Sequence, residues 1–252
     1  MQVNSFQILG IRVDAVQRND VLEILDSWKK NPPEKCQLIS STNANNVMCS
    51  LEIPLMKTAT NNSGLSLPDG VPFLWLGRMK GFPLKGRCGI QEVMMDLFEQ
   101  RNYRHFFFGN TPEVLFKLKK RLSTLCPKLQ ICGVYSPPFG AFSKEETAKH
   151  IGIINQGKPD FVWVSLGCPR QEMWIEENRA EIKALAAGGA GAVFNFLAGE
   201  TSRAPEWVQY FGLEWIYRLM IDPKKLWRRY LVRYPKFVIL FLLSLLPFGR
   251  SR

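Results

Sequence analysis

Short apolar runs alternate with longer amphipathic stretches over residues 1–200. The clearest run is Phe161–Leu166, rich in β-branched and aromatic residues and closed by Gly167-Cys168-Pro169. Its length and that punctuation predict a buried strand, a turn, and a helix that opens at Gln171 and Glu172 and ends near Leu185. The same order recurs at His105–Phe108, where Gly109-Asn110-Thr111 leads into Pro112, a residue suited to the first turn of a helix. Gln37–Ser41 predicts another strand, which runs into the polar cluster Thr42-Asn43-Ala44-Asn45-Asn46. Leu129–Tyr135 reads as a strand, and Val193–Gly199, after a glycine-rich stretch, as a strand and turn. Ser5–Val16 reads as a strand with a short turn. Helical periodicity is expected over 21–28, 71–79, 90–100 and 114–125, and from the capping box Ser143…Glu146 to about Asn155. Strand–helix alternation of this kind implies parallel βαβ units, an α/β class with a Rossmann-like core. Ligands of such sheets sit beyond the carboxyl ends of the strands.

After Arg203-Ala204-Pro205 the pattern changes. Glu206–Met220 is aromatic-rich and helical, and Asp222-Pro223 opens a second helix that runs into the apolar stretch Phe237–Phe248. Crossing a bilayer takes roughly 20 apolar residues, so this stretch is too short to span one. Arg203, Arg218, Lys224, Lys225, Arg228, Arg229, Arg233 and Lys236 outnumber Glu206, Glu214 and Asp222 in the same region. Two parts are therefore expected: an α/β catalytic core, 1–202, and a basic, aromatic, helical appendage, 203–252. A basic aromatic helix before a short greasy one fits an interfacial, membrane-associating anchor. The competing reading is a helix that packs on the protein itself or in a homo-oligomer.

The formal net charge of +11 points to an anionic partner: nucleic acid, an anionic membrane surface or a phosphorylated substrate. No RNP, helix-turn-helix or zinc pattern supports the first. Six cysteines without a CxxC pair, and two isolated histidines, suggest neither a metal site nor a disulfide framework but free thiols. No signal peptide is expected. Neither GxGxxG nor a P-loop is present. The polar features left are the Asn-rich cluster, Asp69 on the Pro68–Gly70 turn, and the Gly167–Gln171 corner. Each reads either as turn chemistry or as part of a ligand site. Asp69 gains interest only if it faces the same cleft as the Asn-rich cluster.

PDFVWVSLGCPRQEMWIEENR, FNFLAGETSRAPEWVQYFGLEWIYRLMIDPKKLWRRYL, SSTNANNV and LPDGVP together resemble the WecG/TagA/CpsF family of bacterial glycosyltransferases, glycosyltransferase family 26. The match in order and spacing covers nearly the whole chain. The resemblance implies inverting transfer of a sugar, often N-acetylmannosamine, from a UDP-sugar to a polyprenyl-diphosphate-linked acceptor, without a bound metal or other cofactor. It places the protein peripherally at the cytoplasmic face of the bacterial inner membrane, in cell-surface polysaccharide synthesis. Asp69 falls where the family has its proposed base. Ser41, Thr42 and Asn43 fall on its polar shelf, with serine at the first position in place of threonine. Gly167, Pro169, Gln171 and Glu172 fall on its G-x-P-x-Q-E corner. Arg87 and Gly109 join these as expected donor-binding residues. Arg218, Lys225 and Arg228 fall on cations expected at the diphosphate. Asn195 stands where an aspartate is usual, so no acidic role is expected of it. An inverting transfer needs one base, and without a metal the leaving diphosphate needs backbone donors and cations. A nucleic-acid-binding protein and a non-catalytic membrane adaptor remain the alternatives.

Overall fold

The computed structural model describes residues 3–202, 204–210 and 212–245, with the side chains of Glu206, Gln209 and Lys225 left aside. The chain opens with an antiparallel hairpin, β1 (Ser5–Ile8) and β2 (Ile11–Asp14), whose register puts Ile8 opposite Ile11. Helix α1 (Arg18–Lys30) leads to β3 (Gln37–Thr42), and α2 (Ala44–Glu52) with α3 (Pro54–Asn61) connects it to β4 (Leu65–Pro68). Then follow α4 (Val71–Met79), α5 (Ile90–Gln100), β5 (Arg104–Gly109), α6 (Pro112–Leu125), β6 (Gln130–Tyr135), α7 (Lys144–Gln156), β7 (Phe161–Ser165), α8 (Arg170–Asn178), β8 (Ala186–Gly189) and α9 (Val193–Ala198).

Among the described residues six strands form one parallel sheet in the order β4-β3-β8-β7-β5-β6. Alternate side chains of each strand enter opposite cores. Ile39, Phe107, Phe161, Trp163 and Ala186 pack with α1, α5, α6 and α9 on one face. Leu38, Phe106, Phe108, Val162, Val164 and Ala187 pack with residues of α3, α7 and α8 on the other. β5 connects outward to β6 while its neighbour β7 connects the other way to β8. The loops diverge there and leave a crevice at the carboxyl ends of the strands, the usual ligand position in an open α/β sheet.

Two expectations need correction. Val193–Ala198 is the helix α9, closed by Gly199 in the left-handed region (φ 78°), and the strand is Ala186–Gly189. The reason lies in the neighbours. A Cβ on Gly188 would sit 2.8 Å from the Trp163 ring, so this central position takes a residue of poor strand propensity to make room for the indole. The helix opened at Gln171 ends at Asn178, well short of Leu185.

The C-terminal region is helical but broken into pieces. α10 (Glu206–Tyr210) and α11 (Glu214–Ile221) flank Gly212, which has φ 72°. α12 (Pro223–Trp227), a π-helical turn (Arg228–Arg233) and α13 (Tyr234–Leu245) follow. The hairpin, α2, α4 and α13 share a third core, in which Phe237 stacks on Phe73 at 5.8 Å between ring centroids. Phe237 is thus buried, while Val238, Ile239, Leu242, Leu243 and Leu245 on the same helix are exposed. No described helix is long and apolar enough to cross a membrane. The end of the apolar stretch, 246–248, lies outside the described residues, as does Arg203.

Candidate active site

A cleft of about 1720 Å³ runs along the carboxyl ends of β3, β4, β5, β7 and β8 and is bordered on its far side by residues of α11, α12, the π-helical turn and α13. Asp69 lies on it, one residue past β4. Its amide donates to Thr42 O at 3.1 Å, which extends the β3–β4 pairing and fixes the backbone of the Pro68–Gly70 turn. One carboxylate oxygen, Oδ2, accepts from Ser41 Oγ at 2.9 Å and from Asn43 Nδ2 at 3.3 Å. The other, Oδ1, faces Arg87 Nη2 at 3.5 Å.

Asn43 is oriented by its second task. Its Oδ1 caps α2, accepting from the amides of Asn45 and Asn46, both at 3.1 Å, so its Nδ2 is left pointing at Asp69. Arg87 is shared: its Nη1 meets Glu214 Oε2 on α11 at 3.0 Å. A residue of the C-terminal region is thereby linked through one guanidinium to Asp69. That link joins positions 127 residues apart, and no local pattern signals it.

The Gly167–Glu172 corner behaves differently. Gln171 Oε1 accepts from Gly167 N at 3.2 Å and from Gly191 N at 3.1 Å, while its Nε2 donates to Glu172 Oε1 at 2.9 Å. Gln171 therefore ties the loop after β7 to the loop after β8, and its amide is occupied within the protein. Glu172 is buried, which raises its carboxyl above the ordinary range. Asn110, in the left-handed region at φ 63°, donates from Nδ2 to Asn195 Oδ1 at 2.9 Å and lies 3.3 Å from Ser165 Oγ. This amide pair bridges the crevice between β5 and α9 and was not expected from the sequence.

Ser41, Asn43, Asp69, Arg87, Gly167, Gln171, Glu172, Arg218 and Arg228 thus come together on one cleft. Arg218 packs over the Phe196 ring at 5.4 Å and Arg228 over Trp227 at 5.3 Å. Arg229, Arg233 and Lys236 also border the cleft. Three predicted residues are not among its lining. Thr42, adjacent to Ser41 on a strand, points to the other side, where its hydroxyl meets Ser66 Oγ at 2.6 Å in a fully buried pair. Gly109 serves the backbone: with φ 103°, a Cβ there would lie 2.5 Å from Ser165 O, so glycine lets β5 and β7 converge. Pro169 precedes the first residue of α8 and does not border the cleft. The Lys225 side chain lies outside the described residues.

A carboxylate held by a hydroxyl, an amide and a guanidinium can take up a proton, and Arg218 and Arg228 on the same cleft can hold an anion. The model of the glycosyl transferase WecG/TagA/CpsF family matches residues 6–251. The chain belongs to the WecG/TagA/CpsF glycosyltransferase family. It is 31% identical over 191 residues (75% of this chain, 72% of the relative) to an N-acetylglucosaminyldiphosphoundecaprenol N-acetyl-beta-D-mannosaminyltransferase of Bacillus spizizenii. A protein of the same name from Bacillus subtilis is 30% identical over 182 residues, covering 71% of this chain and 68% of the relative. One from Staphylococcus aureus is 24% identical over 224 residues, covering 88% and 86%. In this WecG/TagA/CpsF family member the cleft is built jointly by the sheet and the C-terminal helices.

Proposed function

We propose that this transferase moves N-acetylmannosamine, or a related hexose or uronic acid, from a UDP-sugar to a polyprenyl-diphosphate-linked glycan, with inversion and without a metal. The observation that carries the reading is the setting of Asp69, braced by Ser41, Asn43 and Arg87 inside a cleft bordered by arginines. In this reading Asp69 takes the proton from the acceptor hydroxyl as that oxygen attacks the anomeric carbon. The bond to UDP breaks on the opposite face, which inverts the centre. Arg218, Lys225 and Arg228 meet the charge that grows on the departing diphosphate. Gln171 keeps the loops after β7 and β8 in register and lets Gly167 approach the donor. The relatives' names describe an acceptor of this kind, N-acetylglucosamine on diphosphoundecaprenol.

The exposed face of α13, with Lys236 beside it, supports peripheral attachment to an anionic membrane, where a polyprenyl acceptor resides. The division into a core, 1–202, and an appendage, 203–252, belongs to the same proposal, with the appendage supplying both the membrane face and the diphosphate cations.

The decisive experiment is a screen of UDP-sugars with synthetic polyprenyl-diphosphate acceptors, run with and without a chelator. Transfer with inverted configuration, undiminished by the chelator, is expected. No transfer from any UDP-sugar rejects the donor class, and loss of transfer on chelation rejects metal independence.

A further inference from the structure

Two groups of cations border the cleft, and they stand against different walls. Arg218 packs over Phe196 of α9, and Arg228 over Trp227. Arg233 and Lys236 face α2 instead. Arg233 Nη1 lies 3.5 Å from Asn45 Oδ1, its Nη2 meets Glu52 Oε2 at 2.9 Å, and Lys236 Nζ lies 4.0 Å from Glu52 Oε1. One carboxylate thus answers two cations. All three side chains are about one-third exposed or more, and all three border the cleft.

The second group has a defined relation to Asp69. Asn43 gives its Nδ2 to Asp69 Oδ2 and accepts with Oδ1 from the amide of Asn45, whose own side chain touches Arg233. The other carboxylate oxygen, Oδ1, faces Arg87, which is paired with Glu214 on α11, the helix that carries Arg218. Asp69 therefore stands between the two groups, with Arg233 reached from its Oδ2 side and α11 from its Oδ1 side. In an inverting displacement the incoming oxygen and the leaving group lie on opposite faces of one carbon. When both substrates carry a diphosphate, the two polyanions fall on opposite sides of that carbon and need separate cations. Arg233 also closes the π-helical turn, and Tyr234 opens α13, whose Val238, Ile239 and Leu242 are exposed. Cations followed by an apolar face along one chain segment match the order of groups in a polyprenyl diphosphate.

Resting on the proposed transferase function, we infer that Arg233 and Lys236 bind the diphosphate of the polyprenyl-linked acceptor, exchanging Glu52 for it, while Arg218 and Arg228 serve the donor. The Arg233 fork suits a pair of phosphate oxygens, and Lys236 adds a point charge.

The test uses the full chain and two probes. One is polyprenyl diphosphate in phosphatidylcholine vesicles, read by co-sedimentation against vesicles that carry polyprenol; the other is UDP, read by calorimetry. The parent is expected to prefer the diphosphate vesicles. Arg233→Gln combined with Lys236→Gln should weaken that binding by at least about tenfold, the usual effect of losing a charged hydrogen bond, and leave UDP binding unchanged. Glu52→Gln removes the competing carboxylate and should tighten it. A purely structural ion pair would make Glu52→Gln weaken the binding too, and that result overturns the inference. So does a parent indifferent to the diphosphate, a double variant that binds as the parent does, displacement of the lipid by UDP, or an equal loss of binding to phosphatidylglycerol vesicles, which would assign these cations to headgroups. In turnover, the double variant should raise KM for the acceptor and not for the donor. Diphosphate binding that follows these charges, without transfer from any UDP-sugar, rejects the transferase reading alone. Transfer with an unchanged acceptor KM in the double variant rejects this site alone.

Discussion

Asn43 does two jobs with one amide, and that makes it a sharper probe of the site than Asp69. Replacing it with aspartate keeps an acceptor for the α2 cap but sets a second carboxylate against Asp69. Asn43→Asp is expected to melt within a few degrees of the parent, because aspartate caps as well as asparagine, yet to lose transfer. Thermal melts beside a turnover assay check it; recovery of full turnover places Asp69 outside the chemistry. Asp69→Asn should lose about 10²–10⁴-fold in turnover, the usual contribution of a positioned base, while UDP binding measured by calorimetry is kept. Ser41, Asn43, Asp69 and Gln171 were legible in the sequence because each sits in a short polar stretch just past an apolar run. Thr42 was misplaced because consecutive residues of a strand face opposite ways, and a run of polar residues conceals that alternation. The Asn110–Asn195 bridge and the Arg87–Glu214 pair were not legible, since their partners are brought together only by the tertiary fold.

At the scale of elements, the apolar runs at β5 and β7 announced themselves, and β8 did not. Ala186-Ala187-Gly188-Gly189 has almost no side chain to show a period, and its strand character comes from pairing with β3 on one side and β7 on the other. The C-terminal helices were recognised as helices but not as partners of the third core. α13 has a dual nature: Phe237 is buried against Phe73, while Leu242 and Leu243 face outward. Phe237→Ala should therefore destabilise the protein by about 3–5 kcal/mol, as a buried phenylalanine does, measurable by denaturant unfolding. A paired Leu242→Asp and Leu243→Asp change should leave stability near the parent and abolish co-sedimentation with anionic vesicles. Unchanged sedimentation counts against attachment through α13. The Arg233–Glu52 pair at 2.9 Å is about one-third exposed at both ends, so its loss should cost under about 1 kcal/mol.

For the molecule as a whole, acid should be a stronger stress than base, and His105 is one reason. Its ring is fully buried, accepts from Trp163 Nε1 at 3.2 Å and stacks on Phe161, and burial pushes its pKa down to about 3. An unfolded histidine titrates near 6.5, so between these values the unfolded chain holds a proton that the folded one refuses. The stability tied to His105 is complete above about pH 6.5 and is lost as pH falls towards about 3, by about 1.4 kcal/mol per unit. His105→Gln, which keeps an acceptor for the indole, should show a shallower fall in unfolding free energy over that window, followed by denaturant titration at several pH values.

The narrowness of β8 also bears on how this enzyme can diversify. A methyl group on Gly189 would come within 2.5 Å of the Gln171 amide and 2.8 Å of the Glu172 carboxyl, and one on Gly188 would press on Trp163. The floor of the cleft at Gly189 thus takes no larger side chain, and under the proposed function a change of sugar falls to the walls instead: the Ser136–Phe139 rim and the helices that follow Gly199.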